Sequence, residues 1–281
     1  MAVYDVFPFY NELDILEIRL NTLSPIVDYF LITEATTTFA GLEKRLFLSE
    51  NIEKFDKFKD KIIVQVVDNV PELPPFERDW FQRDWAKNYL DTHLHDDDYL
   101  IYGDVDEIPR LNSVISAIEL LVDPINIIHF AQDLNYYYLN LVETSGKLLS
   151  YMGEYPEIKN KKWLGTTLSK WSFSKHYSMT SLRNPGLKSY GIRMADAGWH
   201  YSYVGGEPGV STEERARNKV VNAAHQELNT KKILKNIGKA TSRHRDIFKR
   251  KGSSFQVIND LSYLPEYVQA NLEKFKNLIA E

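Results

Sequence analysis

The sequence predicts an α/β fold in which a mostly parallel sheet, flanked by helices, binds a ligand at the carboxyl ends of its strands. Apolar segments typical of strands surround an amphipathic helical segment within the first 70 residues. Acidic residues directly follow several of these strands. A later apolar run, Tyr99–Tyr102, precedes Gly103 and the acidic residues Asp104, Asp106 and Glu107. Open α/β sheets bind their ligands at this end of the strands.

The composition is that of an ordinary globular protein, with 281 residues, 43% hydrophobic and 26% charged. The formal charge of −5 argues against nucleic acid as a partner. Without cysteine there is no disulfide or thiolate chemistry. No apolar run has transmembrane length and no signal-peptide pattern is visible, so we expect a cytoplasmic protein without a membrane span. One domain over 1–281 is expected, with about 210–281 as a helical extension.

The first part of the chain is predicted to contain three strands and one helix. The strands are expected over 2–9, 27–33 and 61–67, and the helix over 12–23. Pro8 is expected to end the first strand and Asn11 to cap the helix. Glu34 and Asp68 follow the second and third strands, where a carboxylate can bind a ribose or a base. A surface-loop carboxylate is the alternative, and for Asp68 it is the preferred one.

A further helix is predicted over 76–94, after a proline-rich loop. Arg83 within it is the best contact to a phosphate or a base by residue type, because a guanidinium group presents a fixed fork of donors. A solvated helix surface with i,i+4 ion pairs explains the same residues equally well.

The acidic residues after the apolar run at 99–102 form the centre of the predicted site. Strand alternation would put Asp104 and Asp106 on one side of the backbone. Two such carboxylates repel each other unless a cation lies between them, and Mg²⁺ or Mn²⁺ prefers hard oxygen ligands. The sequence therefore predicts a metal site for a phosphate-bearing ligand. The alternative is a solvated acidic turn, since Asp-x-Asp is common by chance.

The later elements are predicted from shorter patterns. A helix over 114–121, capped by Asn112 or Ser113, a strand over 125–130, and helices over 212–228 and 264–279 are expected. Three tyrosines at 136–138 cannot all point inward from one strand, so at least one phenol should face a cleft or solvent. The basic segment 231–251 could close over a nucleotide diphosphate, although a solvated helix is the simpler explanation.

Residues 197–206 alternate like a strand, with Trp199 and Tyr201 on one side and His200 and Ser202 on the other. A histidine among aromatic residues is usually a hydrogen-bonded core residue. Here a metal site with two acids still needs another protein ligand. We therefore predict that His200 is the third metal ligand, beside Asp104 and Asp106.

Four blocks of sequence carry a family resemblance. They are 3–14 with the following Glu17-Ile18-Arg19-Leu20, Phe81-Gln82-Arg83, Asp104 to Arg110, and Gly198 to Tyr203 with Gly205-Gly206. In combination they resemble the beta-1,4-mannosyl-glycoprotein 4-beta-N-acetylglucosaminyltransferases, the enzymes that add a bisecting GlcNAc to N-glycans. The resemblance spans about residues 3–206.

This resemblance implies a GT-A type glycosyltransferase fold with an Asp-x-Asp metal site that uses Mn²⁺ or Mg²⁺. It also implies a UDP-sugar donor, with GlcNAc as the sugar, a glycan acceptor, and inversion at the anomeric carbon. On this basis we expect a group of residues near the first strands to bind the nucleotide. They are Phe7, Pro8, Phe9, Glu34, Arg83 and Asp104.

An inverting transfer needs a carboxylate that removes the proton of the acceptor hydroxyl. Asp196, four residues before His200, is the first candidate, and Glu207 is the second. Two other classes fit the same residues: a metal-dependent nucleotidyltransferase or phosphohydrolase, and a non-catalytic sugar-binding module. Release of UDP from a UDP-sugar separates these classes.

Overall fold

The structure, a computed structural model, describes residues 1–149, 158, 161–183, 187, 190–207 and 209–281. Within these ranges the strands are β1 Val3–Phe9, β2 Tyr29–Ala35, β3 Ile62–Val67, β4 Tyr99–Tyr102, β5 Glu107–Pro109, β6 Ile127–Tyr136, β7 Leu141–Glu143, β8 Trp163–Lys170, β9 Ile192–Ser202 and β10 Phe255–Val257. The α-helices are α1 Leu13–Leu23, α2 Pro75–Trp85, α3 Lys87–His93, α4 Leu111–Leu120, α5 Trp171–Ser174, α6 Met179–Leu182, α7 Thr212–Asn222, α8 Lys231–Thr241, α9 Glu266–Ala270 and α10 Leu272–Phe275. Short 3₁₀ helices lie at Ser49–Phe58, Lys147–Leu149, Gln226–Leu228, Leu261–Tyr263 and Lys276–Leu278.

One sheet organises the molecule, in the order β10-β7-β6-β8-β4-β1-β2-β3. Strands β3, β2, β1 and β4 are parallel, as the N-terminal sequence pattern predicts. Beyond β4 the sheet becomes mixed, since β8 is antiparallel to both β4 and β6. Strand β9 pairs in parallel with β6 and antiparallel with the short β5. The predicted fold class is confirmed: an α/β sheet whose first half is parallel, packed against helices.

The largest apolar cluster forms between the sheet and α1. Leu13, Leu16, Leu20 and Leu23 are all buried, so the predicted apolar face of this helix is confirmed. Burying a leucine side chain contributes about 1.5–3 kcal/mol, so this face alone supplies a large part of the attachment of α1 to the sheet.

Pro8 does not end the first strand, contrary to expectation. β1 continues to Phe9, and Pro8 pairs with Thr33 of β2. Pairing with β4 on the other side has already ended at Val6, opposite Tyr102. Proline is tolerated in a strand where no neighbour needs its missing N–H, and this is such a position.

The predicted helix caps are also wrong. Glu12, not Asn11, is the N-cap residue of α1, and its side chain makes no cap hydrogen bond. The helix α4 follows an extended Arg110, so it starts before Asn112 and Ser113 can cap it. The helix α1 therefore begins at Leu13, later than the predicted residue 12, whereas α4 begins at Leu111, earlier than the predicted residue 114.

Several helices are shorter than predicted. The segment 76–94 forms two helices, α2 and α3, because the chain tightens at Ala86, whose N–H bonds to the carbonyl of Arg83. The helix α7 ends at Asn222. Asn271, with φ −131°, separates α9 from α10.

The three consecutive tyrosines do not share a strand. β6 ends at Tyr136, and Tyr137 has a positive φ of 65° that turns the chain. Tyr136 and Tyr137 are both buried as a result, while Tyr138 is half-buried. Among the described residues, no helix combines the length and apolar character that a membrane crossing requires.

Candidate active site

The acidic residues lie in a turn between β4 and β5, so the expectation that strand alternation aligns them is wrong. The turn closes with a hydrogen bond from the N–H of Glu107 to the carbonyl of Asp104 (3.0 Å). Glu107 opens β5 and is fully buried. Asp104 and Asp106 therefore leave the turn toward different partners.

A buried arginine fixes this turn. Arg19 of α1 and Asp5 of β1 are both fully buried and form two hydrogen bonds, of 2.8 and 2.6 Å. The remaining Nη1 of Arg19 donates to the backbone carbonyls of Asp104 (2.7 Å) and Glu107 (2.9 Å). Charge-assisted bonds of this kind are strong and directional. The first helix therefore holds the acidic turn in place through its backbone.

Two guanidinium groups surround Asp104. Its Oδ1 accepts a hydrogen bond from Arg83 (2.5 Å) and its Oδ2 accepts one from Arg183 (2.9 Å). Arg83 also pairs with Asp79, one helical turn before it on α2 (2.7 Å). Burial alone would raise the pKa of Asp104, but Arg183 and Arg83 outweigh it and hold that pKa well below its usual range.

Glu107 positions Arg183. The Glu107 carboxylate accepts hydrogen bonds from the N–H of Asp104 (2.8 Å), the Trp163 indole (2.5 Å) and both terminal nitrogens of Arg183 (2.5 and 2.7 Å). Gly165 leaves room for this cluster, since a Cβ there would lie 2.2 Å from Glu107 Oε1. The result is a closed and fully paired network beside Asp104.

Asp106 faces the other way, toward β9 and α7. The β5–β9 register pairs Glu107 with His200, which brings His200 Nε2 within 3.7 Å of Asp106 Oδ1. Lys219 of α7 places its Nζ 2.8 Å from Asp106 Oδ2. Burial lowers the pKa of His200, despite the raising effect of Asp106, so the imidazole is neutral near pH 7.

A cleft opens over these side chains at the carboxyl ends of the parallel strands. Its volume is about 670 Å³ when the open space out to its mouth is included. Cationic groups occupy its walls. The residues that line it include Pro8, Phe9, Lys44, Arg83, Asp104, Asp106 and Lys219.

A second, smaller cavity of about 470 Å³ adjoins the cleft. Glu207 lines it, and Tyr10, Glu12 and Lys219 line both cavities. The Glu12 carboxylate accepts hydrogen bonds from the N–H groups of Tyr10 (3.2 Å) and Asn11 (3.0 Å), and burial raises its pKa. The two cavities therefore meet at a carboxylate and an ammonium group.

Most of the residues predicted from the sequence lie at this double cavity. Pro8, Phe9, Arg83, Asp104 and Asp106 line the cleft itself. His200 lies beside Asp106, and Glu207 lies in the second cavity.

Three predicted residues are not brought to the cleft. Phe7 alternates into the core, is fully buried, and lies under the Arg19 guanidinium. Glu34 is fully buried and accepts hydrogen bonds from the N–H groups of Leu48 and Ser49, so it anchors the following 3₁₀ helix. The Asp196 side chain is 80% exposed.

Asp196 is displaced because β9 does not pair regularly at this point. Its φ is positive, at 48°, and the register of β9 against β6 shifts between Met194 and Gly198. The carboxylate turns outward to Lys162, at 3.4 Å. Asp196 therefore lies away from the cleft, although it is only four residues before His200 in the sequence.

The sequence patterns did not identify Arg183, Lys219 or Glu12 as site residues. Arg183 follows the short α6, far along the chain from the acidic turn. A capping box of Ser211 and Glu214 marks the start of α7, but only packing shows that Lys219 faces the cleft. Glu12 belongs to the first sequence block, but its proximity to Asp106 arises only in the tertiary structure.

No group of three or more His, Cys, Asp or Glu side chains placed to hold a metal ion occurs within the described ranges. Asp106 and His200 form a pair only. Asp104, predicted as a further ligand, has both carboxylate oxygens bound by arginine. Any metal here would need ligands from the substrate as well.

Comparison with known proteins places this sequence in a family. Residues 1–280 match the sequence model of glycosyltransferase family 17. The human and rat proteins named beta-1,4-mannosyl-glycoprotein 4-beta-N-acetylglucosaminyltransferase are each 28% identical to this chain over 115 residues. The aligned part covers 37% of this chain and 21% of each relative, so it spans about a fifth of the relatives' length.

A solved structure to which this chain is similar is more distant in sequence. Glucosyl-3-phosphoglycerate synthase from Mycobacterium tuberculosis is 14% identical, with a TM-score of 0.40, over 70% of this chain and 69% of that one. The family match, in contrast, extends over nearly every residue and agrees with the resemblance seen in the sequence. The prediction of a glycosyltransferase is thereby confirmed: the chain belongs to glycosyltransferase family 17.

Proposed function

We propose that this chain transfers GlcNAc from UDP-GlcNAc to a hydroxyl group of a glycan, with inversion at the anomeric carbon and with the help of a divalent metal. The observation that carries the proposal is Asp106, with the buried His200 beside it, at a cleft that Arg83, Lys44 and Lys219 also line. Cationic side chains and a metal ion held by a carboxylate together neutralise the negative charge of a diphosphate. The names of the human and rat relatives support GlcNAc as the sugar.

Asp106 and His200 fit a divalent ion as two protein ligands. Their facing atoms are 3.7 Å apart, and the imidazole is neutral, as ligation requires. The buried Nδ1 of His200 has no hydrogen-bond partner within the described residues, and the ring packs against Trp163 with centres 4.4 Å apart. One carboxylate together with substrate phosphates is a common arrangement for Mg²⁺, and carboxylates also suit Mn²⁺. When bound, the ion neutralises the charge that develops on the departing diphosphate.

The ammonium group of Lys219 pairs with Asp106, where a metal cation would otherwise neutralise the carboxylate. Its side chain is 37% exposed and its Nζ also lies 5.4 Å from the centre of the Tyr203 ring. We infer that the ammonium group exchanges Asp106 for a donor phosphate when the cleft fills. Asp104 then acts through Arg83, which it holds at the wall of the cleft, and Pro8 and Phe9 contact the nucleoside.

The acceptor enters through the second cavity in this proposal. Glu207 lines that cavity and replaces Asp196 as the first candidate base, since Asp196 is exposed to solvent. The carboxylate takes the proton of the acceptor hydroxyl, whose oxygen forms a bond to the anomeric carbon. The bond from that carbon to UDP breaks, and its electron pair leaves with the diphosphate. Glu12, at the junction of the two cavities, is the second candidate.

The test is release of UDP from a panel of UDP-sugars, with Mn²⁺ or with excess chelator, and with or without a mannose-containing N-glycan acceptor. We expect release from UDP-GlcNAc that depends on acceptor and metal, and a β-linked product by NMR. Consumption of a nucleoside triphosphate with formation of pyrophosphate would instead indicate a nucleotidyltransferase. Absence of turnover with every donor would contradict the proposal.

Glu207→Gln and Glu12→Gln separate the two candidate bases. Loss of the carboxylate that accepts the proton should lower kcat by about 10²–10⁴-fold while UDP binding stays intact. Asp196→Gln is the matched control, because that side chain is 80% exposed. If the Asp196 variant alone loses kcat, the assignment of the acceptor cavity is wrong.

A further inference from the structure

A separate cavity lies between the end of α8 and the segment 243–255, and it shares no lining residue with the cleft or the cavity beside it. It encloses about 1170 Å³, measured out to its mouth. Its lining is strongly basic. The cationic residues are Lys239, Arg243, Arg245, Lys249 and Arg250, with His244 beside them and Asp246 as the single acid. We call it the basic cavity.

The charge here is segregated from the rest of the chain. Residues 231–251 contain nine Lys and Arg residues and one acid, whereas the whole chain has a formal charge of −5. Arg250 pairs with Asp246, but Lys239, Arg243, Arg245 and Lys249 have no ion pair within the described ranges. Like charges gathered in one concavity repel one another, and a bound anion removes this cost.

The basic cavity has a fixed frame. Asp246 is 4% exposed and accepts hydrogen bonds from the N–H (2.7 Å), Nε (3.1 Å) and Nη2 (2.8 Å) of Arg250. The Tyr137 hydroxyl donates to the carbonyl of Arg245 (2.8 Å), which ties the segment to the sheet. His244 and Lys249 both have positive φ, of 48° and 58°. Such residues cost free energy, so surrounding contacts must hold this loop in its shape.

We propose that the basic cavity is a binding site for a multiply charged phosphate group. Guanidinium groups match phosphate oxygens in pairs, and Arg243 and Arg245 have no competing acid in the described part of the chain. Ser253 and Ser254 add hydroxyl groups to the wall. Five cations against one carboxylate exceed what a single negative charge needs, which favours a phosphate monoester or a diphosphate. A soluble phosphorylated glycan and a lipid headgroup both carry this chemistry.

The test compares pyrophosphate binding to three proteins by calorimetry at low salt. The cavity variant carries Arg245→Gln and Lys249→Gln, since no hydrogen bond or ion pair of either side chain is found among the described residues. The control carries Lys231→Gln and Lys232→Gln, which remove the same charge from the exposed start of α8, outside the cavity. All three proteins retain the cleft, so any binding there is common to them.

We expect the cavity variant to lose one class of site or to bind it at least about tenfold more weakly, as the loss of hydrogen bonds to a charged group implies. The control should change by less than about twofold. Equal losses in both variants would show diffuse surface charge and overturn the proposal, as would unchanged binding in the cavity variant. Circular dichroism checks folding, and Arg243→Gln replaces the double variant if that variant is unfolded.

Vesicles distinguish the two sources of phosphate. Flotation with vesicles that contain phosphatidic acid, a lipid phosphate monoester, against phosphatidylcholine vesicles, is measured for the same three proteins. Binding lost only in the cavity variant assigns the site to a lipid headgroup. Pyrophosphate binding without vesicle binding assigns it to a soluble phosphate ester. Vesicle binding that falls equally in the variant and the control would contradict a defined cavity.

Discussion

The two sides of the acidic turn differ in how firmly they are fixed. On one side, Asp104 is held by two arginines, and one of these is bound in turn by the buried Glu107. On the other side, Asp106 faces a neutral histidine and a lysine whose side chain is 37% exposed. Asp104 and Asp106 are only two positions apart in the sequence. Both carboxylate oxygens of Asp104 are hydrogen-bonded to arginine, whereas the partners of Asp106 can be exchanged.

This difference shows that the acids of an Asp-x-Asp motif need not act together. The guanidinium groups of Arg83 and Arg183 leave Asp104 little capacity to bind anything else. Asp104 in turn holds Arg83 at the cleft. Asp106 keeps one oxygen directed at His200 without a hydrogen bond at 3.7 Å.

Asp106→Asn should reduce transfer at least about 1000-fold, because metal stabilisation of a departing phosphate is worth several kcal/mol. Asp104→Asn should reduce transfer less and lower the melting temperature more. Asp97→Asn, in an exposed position, is the control and should be close to wild type. Steady-state UDP release and thermal unfolding measure both effects. The reverse order, with Asp104 needed for turnover and Asp106 for stability, would break the contrast.

Arg183→Met should destabilise the fold by about 3–5 kcal/mol, because Glu107 then remains buried without its cation. Lys276→Met is the matched control, since Lys276 and Glu273 form a pair whose side chains are 74% and 93% exposed. That control should change stability by less than about 1 kcal/mol. Urea unfolding followed by circular dichroism gives both values. A small effect at Arg183 would mean that the Glu107 network is not a structural clamp.

Arg83→Ala should weaken UDP binding by about 1–3 kcal/mol, the range for a hydrogen bond to a charged group. Arg217→Ala serves as the control, because Arg217 also pairs with an acid one helical turn away but lies outside the cleft. Calorimetry with UDP and Mn²⁺ provides the comparison. Unchanged UDP affinity in the Arg83 variant would remove Arg83 from the donor site.

His200→Gln should raise the Mn²⁺ concentration for half-maximal activity several-fold, while the melting temperature without metal changes little. Gln is chosen because His200 packs against Trp163, with ring centres 4.4 Å apart, and a smaller residue would leave a cavity. Binding of Mn²⁺ followed by electron paramagnetic resonance gives a readout independent of turnover. A lower melting temperature with unchanged metal dependence would identify His200 as a core residue only.

A smaller effect is expected in the pH dependence of stability. Burial lowers the pKa of His200, so its folded-state pKa lies below the unfolded value of about 6.5. The unfolded chain then binds more protons, and the stability is present above about pH 6.5 and lost as pH falls through the folded pKa. Between about pH 7.5 and 5.5, the metal-free wild type should lose more unfolding free energy than His200→Gln. Parallel curves would show that His200 titrates as in a peptide.

Local patterns predicted the parallel half of the sheet, the apolar face of α1, and the position of His200 beside the acids. Strand and helix periodicity depend on neighbouring residues, so a sequence displays them directly. The errors occur where a distant contact decides. Glu34 was predicted to follow a strand as a ligand-binding acid would, yet it lies within β2 and accepts hydrogen bonds from the backbone of Leu48 and Ser49. Asp196 is near His200 in sequence, yet a register shift in β9 turns it to solvent.

The amino-acid sequence was sufficient to identify the family, the succession of the first strands and helix along the chain, and several residues that we propose to bind a diphosphate and a metal. The tertiary structure decided which acids have free oxygens and which cations reach them. Arg183 and Lys219 approach the acidic turn from 79 and 113 residues away, on elements with no pattern that points to it. Periodicity in a sequence reports only local burial, whereas the charge partners of a carboxylate depend on how the whole chain packs.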